Sequence, residues 1–194
     1  MSRIQGTNSM RIKTKDMAYA ALMAVLLAAC SWLSVPAAVP FTMQTFGVFC
    51  ALLILGGRLG TVSILVYILL GAAGLPVFSG FRGGLSVLLG PTGGYIAGFL
   101  ICGLWCCLVE KHMHKLPMLI AGNLLCYAFG TAWFVIVYSA AGKAVSVAGA
   151  VMTCVVPYMV PDAAKLALAL YLSGRIKKYV FPKAAEGSAE STQK

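Results

Sequence analysis

The stretch FTMQTFGVFCALLILGGRLGTVSILVYILLGAA (residues 41–73) decides what kind of protein this is, because it holds a single charge, Arg58, between two apolar runs. Glycine followed by a charge ends a helix at an interface, so Gly56-Gly57-Arg58 reads as the turn of a helical hairpin with limbs 41–55 and 59–73. Each limb is short beside the about 20 apolar residues that a full bilayer crossing takes. Four more apolar runs lie outside this hairpin, at 17–35, 93–109, 116–141 and 145–172. The expected fold is therefore an all-α integral membrane protein with six transmembrane helices over residues 17–175. A polar segment, 1–16, precedes it, and a polar tail, 176–194, follows, with 183–194 reading as disordered.

Composition points the same way. Of 194 residues, 60% are hydrophobic and 10% charged, whereas a soluble domain carries about 25% charged residues. The chain cannot cover an aqueous surface with so few. Lys+Arg number 15 against Asp+Glu 5, a net charge of +10, which on a polar face would suggest a nucleic-acid partner. Six spans put both termini on one side, and twelve basic residues fall on that side: Arg3, Arg11, Lys13, Lys15, Arg58, Lys111, Lys115, Arg175, Lys177, Lys178, Lys183 and Lys194. Only Arg82 and Lys143 fall on the other, and Lys165 lies inside the last run. Such a bias places both termini in the cytoplasm. The charge is a topology signal, and no nucleic-acid partner is expected.

Other signatures are weaker. Leu27-Ala28-Ala29-Cys30 has the form of a lipoprotein cleavage site, but the apolar run continues past it to Val35, so it reads as part of a helix. The seven cysteines all lie in apolar runs without a Cys-x-x-Cys pair, and His112 and His114 sit apart in a basic loop. Small buried hydrophobes describe these cysteines better than a metal site does. No phosphate-binding Gly-x-x-x-x-Gly-Lys-Ser/Thr, no Ser-His-Asp set and no His-Glu-x-x-His occurs, so neither ATP hydrolysis nor another enzymatic role is expected.

Three features point to a binding role. Ala20, Ala24 and Ala28 recur at i, i+4 and i+8 and align small side chains on one helix face. Such a stripe either packs inside the bundle or docks a partner helix. In the last run Asp162 and Lys165 stand at i, i+3 after Pro161. Ionisable groups at membrane depth cost about 3 kcal/mol or more, face cavities and have partners, while the proline removes an N–H and bends the helix. This pair is either a packing bridge or part of a ligand site. Finally, the glycine-rich but apolar stretch 74–94, which carries Arg82, and the uncharged stretch 36–44 read as outer loops over a pocket. Arginine's planar donor fork suits a carboxylate.

Four motifs together, PFTMQTFGV (40–48), GLPVFSG (74–80), GGLSVLLGPTGGY (83–95) and Pro161-Asp162-x-x-Lys165, resemble the BioY family, the biotin-binding S components of energy-coupling factor (ECF) transporters. The resemblance runs from about residue 17 to 175. It implies a six-helix bundle with an outward-facing pocket, biotin as ligand, no cofactor, and a bacterial plasma-membrane location. It also implies partnership with a membrane coupling protein and two ATPase subunits, in keeping with the missing phosphate loop. Ala20, Ala24 and Ala28 look like the motif by which S components dock the coupling protein.

Biotin's ureido ring offers two N–H donors and a carbonyl, so Asp162 would accept from the ring and Lys165 would donate to its carbonyl. Arg82 would then hold the valeryl carboxylate nearer the surface. The opposite orientation, with Lys165 on the carboxylate, stays open. Gln44, Tyr95, Asn123 and Tyr127 are further binding candidates, and Phe41, Phe78, Trp133 and Tyr158 are candidate walls. Two other functions fit the residues without the resemblance: a small membrane assembly protein whose Asp/Lys pair is structural, and a proton-coupled facilitator with Asp162 as carrier.

Overall fold

The structure, a computed structural model, describes residues 14–37, 39–143 and 145–180. The 183–194 tail and most of the 1–16 segment lie outside the described residues. The order of elements is α1 (Thr14–Trp32), β1 (Ser34–Val35), β2 (Phe41–Thr42), α2 (Gln44–Ala72), α3 (Leu85–Leu89), α4 (Gly93–Val109), α5 (Lys115–Ala140), α6 (Val147–Cys154) and α7 (Val156–Val180). The helices α1, α2 and α5 and the joined run Val147–Lys178 are long and apolar enough to cross a membrane, and α4 is a shorter apolar helix.

Helix α2 is a hairpin in fact. Gly56 has φ 83 and ψ 170, a backbone region essentially reserved for glycine, and the chain reverses there. A Cβ on Gly60 would lie 2.9 Å from the Leu52 Cα, and the Gln44 amide donates to the Tyr67 hydroxyl at 2.6 Å. A continuous helix would separate these pairs by about 12 and 34 Å. The first N–H of the second limb, that of Gly57, donates to Glu110 Oε2 at 2.7 Å, so a carboxylate from the end of α4 caps the new helix start.

Two boundaries differ from the sequence reading. Residues 33–43 were expected to begin and end in helix, yet Ser34 pairs with Thr42 and Val35 with Phe41 as a short antiparallel ladder. Pro36 and Pro40 explain this, since a proline pushes the preceding residue toward extended backbone. The last run breaks at Val155, not at Pro161, which lies within α7. The break sits where Pro157 lacks an N–H and its ring crowds the carbonyl four residues back. Helix α7 then continues past residue 175 to Val180, with Lys177 and Lys178 in its last turn.

Close packing here relies on glycine. Between α4 and α5, a Cβ on Gly94 would strike Trp133, one on Gly98 the Cys126 sulfur, one on Gly122 the Cys102 sulfur and one on Gly130 the Tyr95 ring, all within 2.7 Å. The pairings descend in α5 as they ascend in α4, so the two helices are antiparallel and nearly touch at the backbone, the small-residue packing that lipid favours. The cysteines are free, six of them buried.

The alanine stripe lies on the inner side of α1. Ala20, Ala24 and Ala28 are 4%, 2% and 6% exposed, because α1 packs along α2 within the chain itself. The outward side of α1 carries the exposed Met17, Leu22 and Val25.

Replacing Gly56 by alanine is expected to destabilise the fold by about 1–3 kcal/mol, the cost of holding a Cβ residue in that backbone region. Thermal unfolding in detergent measures it; an unchanged midpoint would mean the turn does not depend on glycine.

Candidate functional site

The site is built outward from α7. Asp162 and Lys165 lie one turn apart, 4% and 5% exposed, with Lys165 Nζ 2.7 Å from Asp162 Oδ1. Lys165 also donates to the Thr42 carbonyl at 2.7 Å and to Thr45 Oγ1 at 3.2 Å. The Thr45 hydroxyl donates to Asp162 Oδ1 at 2.9 Å, and the Tyr127 hydroxyl donates to Asp162 Oδ2 at 2.5 Å. An ammonium has three donors and a carboxylate about four acceptor sites. Lys165 is thus fully spent, while among the described residues Asp162 has partners for three of its acceptor sites and keeps one. Above the ammonium, 4.1 Å from its nitrogen, lies the Phe41 ring, itself stacked on Tyr158.

Each partner has a local cause. Thr42 is in β2, where extended backbone leaves its carbonyl free to face α7. Thr45 sits in the first turn of α2, directly after the ladder, so the same short segment supplies both contacts to Lys165. Tyr127 comes from the middle of α5.

The pair forms the floor of a cavity that, with the open solvent at its mouth included, holds about 680 Å³ of space. Of the residues singled out in the sequence, Asp162, Lys165, Arg82, Gln44, Tyr95 and Tyr127 line it together. Asn123 does not line it and stands one turn before Tyr127 in α5. Gln44 is held by the Thr42 hydroxyl at 2.9 Å and by Tyr67, and Tyr95 pairs with Thr131 at 3.0 Å. Of the candidate walls, Phe78 and Tyr158 line the cavity. Trp133 instead donates to the Gly90 carbonyl at 3.0 Å, outside the lining. Thr45, Thr42 and Ser79 are lining residues that the sequence reading missed. Thr45 stands in the quoted 40–48 motif, but nothing in the sequence announces its contact with a carboxylate 117 residues away.

The loop between α2 and α4 roofs the cavity and is tied to α1. Phe78 is buried under Gly71, where a Cβ would lie 2.0 Å from its ring, and it meets Tyr67 edge-on. The Ser31 hydroxyl donates to the Val77 carbonyl at 2.5 Å and the Trp32 indole to the Pro76 carbonyl at 2.9 Å. A tight turn follows, closed by the Phe78 N–H on the Arg82 carbonyl at 2.9 Å. Arg82 uses Nε on the Ser79 carbonyl at 3.2 Å. Its side chain borders both the cavity and an outer vestibule formed with Pro40, Gly83 and Thr92. The cavity therefore has an ion pair at its floor, a guanidinium at its mouth, and Ile96 and Phe99 among the apolar residues of its wall.

A family model described as "BioY family" matches residues 5–181. The chain belongs to the BioY family. Among its relatives, the biotin transporter BioY of Thermotoga maritima is 38% identical over 164 residues, 82% of this chain and 94% of that one. The probable biotin transporter BioY of Pyrococcus horikoshii is 38% identical over 167 residues, 86% of this chain and 98% of that one. A crystal structure of the S-component for biotin from an ECF-type ABC transporter superposes with a TM-score of 0.75 at 23% identity, over 90% of this chain and 95% of that one. The bundle described above thus has the S-component fold.

Breaking one side of a buried ion pair leaves a charge unpaired and costs about 3–5 kcal/mol, whereas removing both sides costs much less. Lys165→Met alone is expected to lower stability by that amount, and adding Asp162→Asn to restore much of it. Denaturation of the single and double variants in detergent is the check; strictly additive losses would mean the two side chains do not act as a pair.

Proposed function

We propose that this member of the BioY family is the biotin-binding subunit of an ECF-type uptake transporter. The observation that carries the reading is a cavity polar at both ends and apolar between them, matched to a ligand with a ureido ring at one end and a carboxylate at the other. Biotin enters with its bicyclic ring toward Asp162 and Lys165 and its carboxylate toward Arg82. The first contact is a ureido N–H on the remaining acceptor site of Asp162. Lys165 reaches the ureido carbonyl by giving up a bond it already has, and its longest, 3.2 Å to Thr45, is the one released.

The topology proposed is six crossings with both termini cytoplasmic. The Gly57–Glu110 hydrogen bond supports it by joining the Arg58 turn to the loop that bears Lys111 and leads to Lys115 at the start of α5. Lys177 at the end of α7 shares a cavity with Lys115, so these basic residues gather at one end of the bundle, where the positive-inside rule puts the cytoplasm. Arg82 is at the opposite end. Uptake then runs as capture from outside, closure of the 74–92 loop, and inward release driven by a coupling protein and two ATPase subunits. The chain itself has no phosphate loop for the last step.

Titration of the purified protein with biotin tests the reading, with thiamine and riboflavin as controls. Asp162→Asn and Lys165→Ala are each expected to weaken binding by about tenfold to a hundredfold or more, the worth of a hydrogen bond to a charged group. Arg82→Gln is expected to weaken biotin but not biotin amide, which lacks the carboxylate. A folded protein that binds no biotin, or an Arg82 variant that loses both ligands equally, would overturn the corresponding assignment.

A further inference from the structure

At the end of the bundle away from Arg82, a second cavity, about 840 Å³ with its open solvent included, lies among the hairpin turn of α2, the ends of α4 and α7 and the start of α5. Lys115, at the start of α5, and Lys177, at the end of α7, both line it. Lys177 is half-buried and lies within side-chain reach of Lys115, like charge against like charge. Among the described residues Glu110 is the cavity's one acid, and its Oε2 is already engaged by the Gly57 N–H. Two ammonium groups converging on one hollow with a single, partly committed carboxylate leave a net positive site. Below them the lining turns apolar with Leu52, Leu53 and Met118, and Leu116 and Ile120 continue an exposed apolar surface along α5.

From this arrangement we infer that the cavity holds the headgroup of an anionic phospholipid, its phosphate between Lys115 and Lys177 and its acyl chain along α5. A soluble anion would use the basic rim and leave the apolar floor and flank unexplained, whereas an amphipathic one uses both. Basic hollows between helix ends at the cytoplasmic leaflet suit such headgroups. The inference rests on the orientation proposed above for the leaflet, and not on the identity of the transported ligand.

The test is native mass spectrometry of the full chain with equal amounts of phosphatidylglycerol and phosphatidylcholine of the same acyl chains. The wild type is expected to retain the anionic lipid about thirtyfold better, the combined effect of two cations near a charged surface. Lys115→Gln/Lys177→Gln is expected to abolish the preference and Lys115→Arg/Lys177→Arg to keep it. Biotin titration of the same samples monitors folding separately, since neither lysine lines the biotin cavity. An equal amount of inorganic phosphate is expected not to displace the lipid. The inference is overturned if the wild type has no preference, if phosphate competes on equal terms, or if the Gln variant keeps the preference. It is also overturned if that variant loses assembly with the ATPase-bearing partners while lipid retention is unchanged, which would assign the cluster to a protein interface.

Discussion

A carboxylate and an ammonium buried together are tolerable only when nearly every proton and lone pair they carry finds a partner. Asp162 and Lys165 impose that condition on the whole bundle. One turn of α7 supplies the pair, but the donors and acceptors that complete it come from three other places: the Thr42 carbonyl, the Thr45 hydroxyl and the Tyr127 hydroxyl. The chain must therefore be extended at Thr42 and helical by Thr45, which the proline-flanked ladder of residues 34–42 achieves. The middle of α5 must also lie against α7 at Tyr127. These requirements explain why the segment entering α2 is so short and so polar in an otherwise apolar chain.

A second constraint comes from the lipid solvent, which gives helices little hydrophobic reason to associate and leaves close packing as the main source of cohesion. Glycines at the α4–α5 contact and the alanines of α1 answer to this. They let backbones approach until a single added methyl group would collide. On the cavity's side of the bundle the lining includes the large side chains of Phe78, Tyr95 and Phe99.

What the sequence made legible follows from how local each signal is. The hairpin at Gly56 was readable because glycine and a charge interrupt an apolar run within three residues, and the ion pair because two ionisable groups stand in a run that otherwise excludes them. Arg82 was readable for the same reason. The extended ladder at 34–42 was not read from the apolar runs on either side, although Pro36 and Pro40 were the available sign. The partnership of Thr45 and Tyr127 with Asp162 had no local sign at all, since hydroxyl residues in membrane helices usually satisfy themselves on their own backbone, as Thr61 and Ser63 do here. For the alanine stripe, periodicity correctly grouped three residues on one face. What that face meets is a tertiary fact, and it meets α2.

Under the binding proposed for biotin, the hydrogen-bond count at the pair also orders the events. Asp162 has one acceptor site open while Lys165 has no donor to spare, so a ligand that arrives with an N–H gains a bond without breaking one. A ligand that arrives with only acceptors must first pull Lys165 from a partner and leave that partner short, and an orphaned buried hydroxyl or carbonyl costs about 1–3 kcal/mol. On that proposal, the floor of the cavity favours ligands that present donor and acceptor side by side, as a cyclic urea does. For such a ligand the donor contact at Asp162 offsets the exchange at Lys165, and Thr45, released from the lysine, keeps its own bond to the carboxylate.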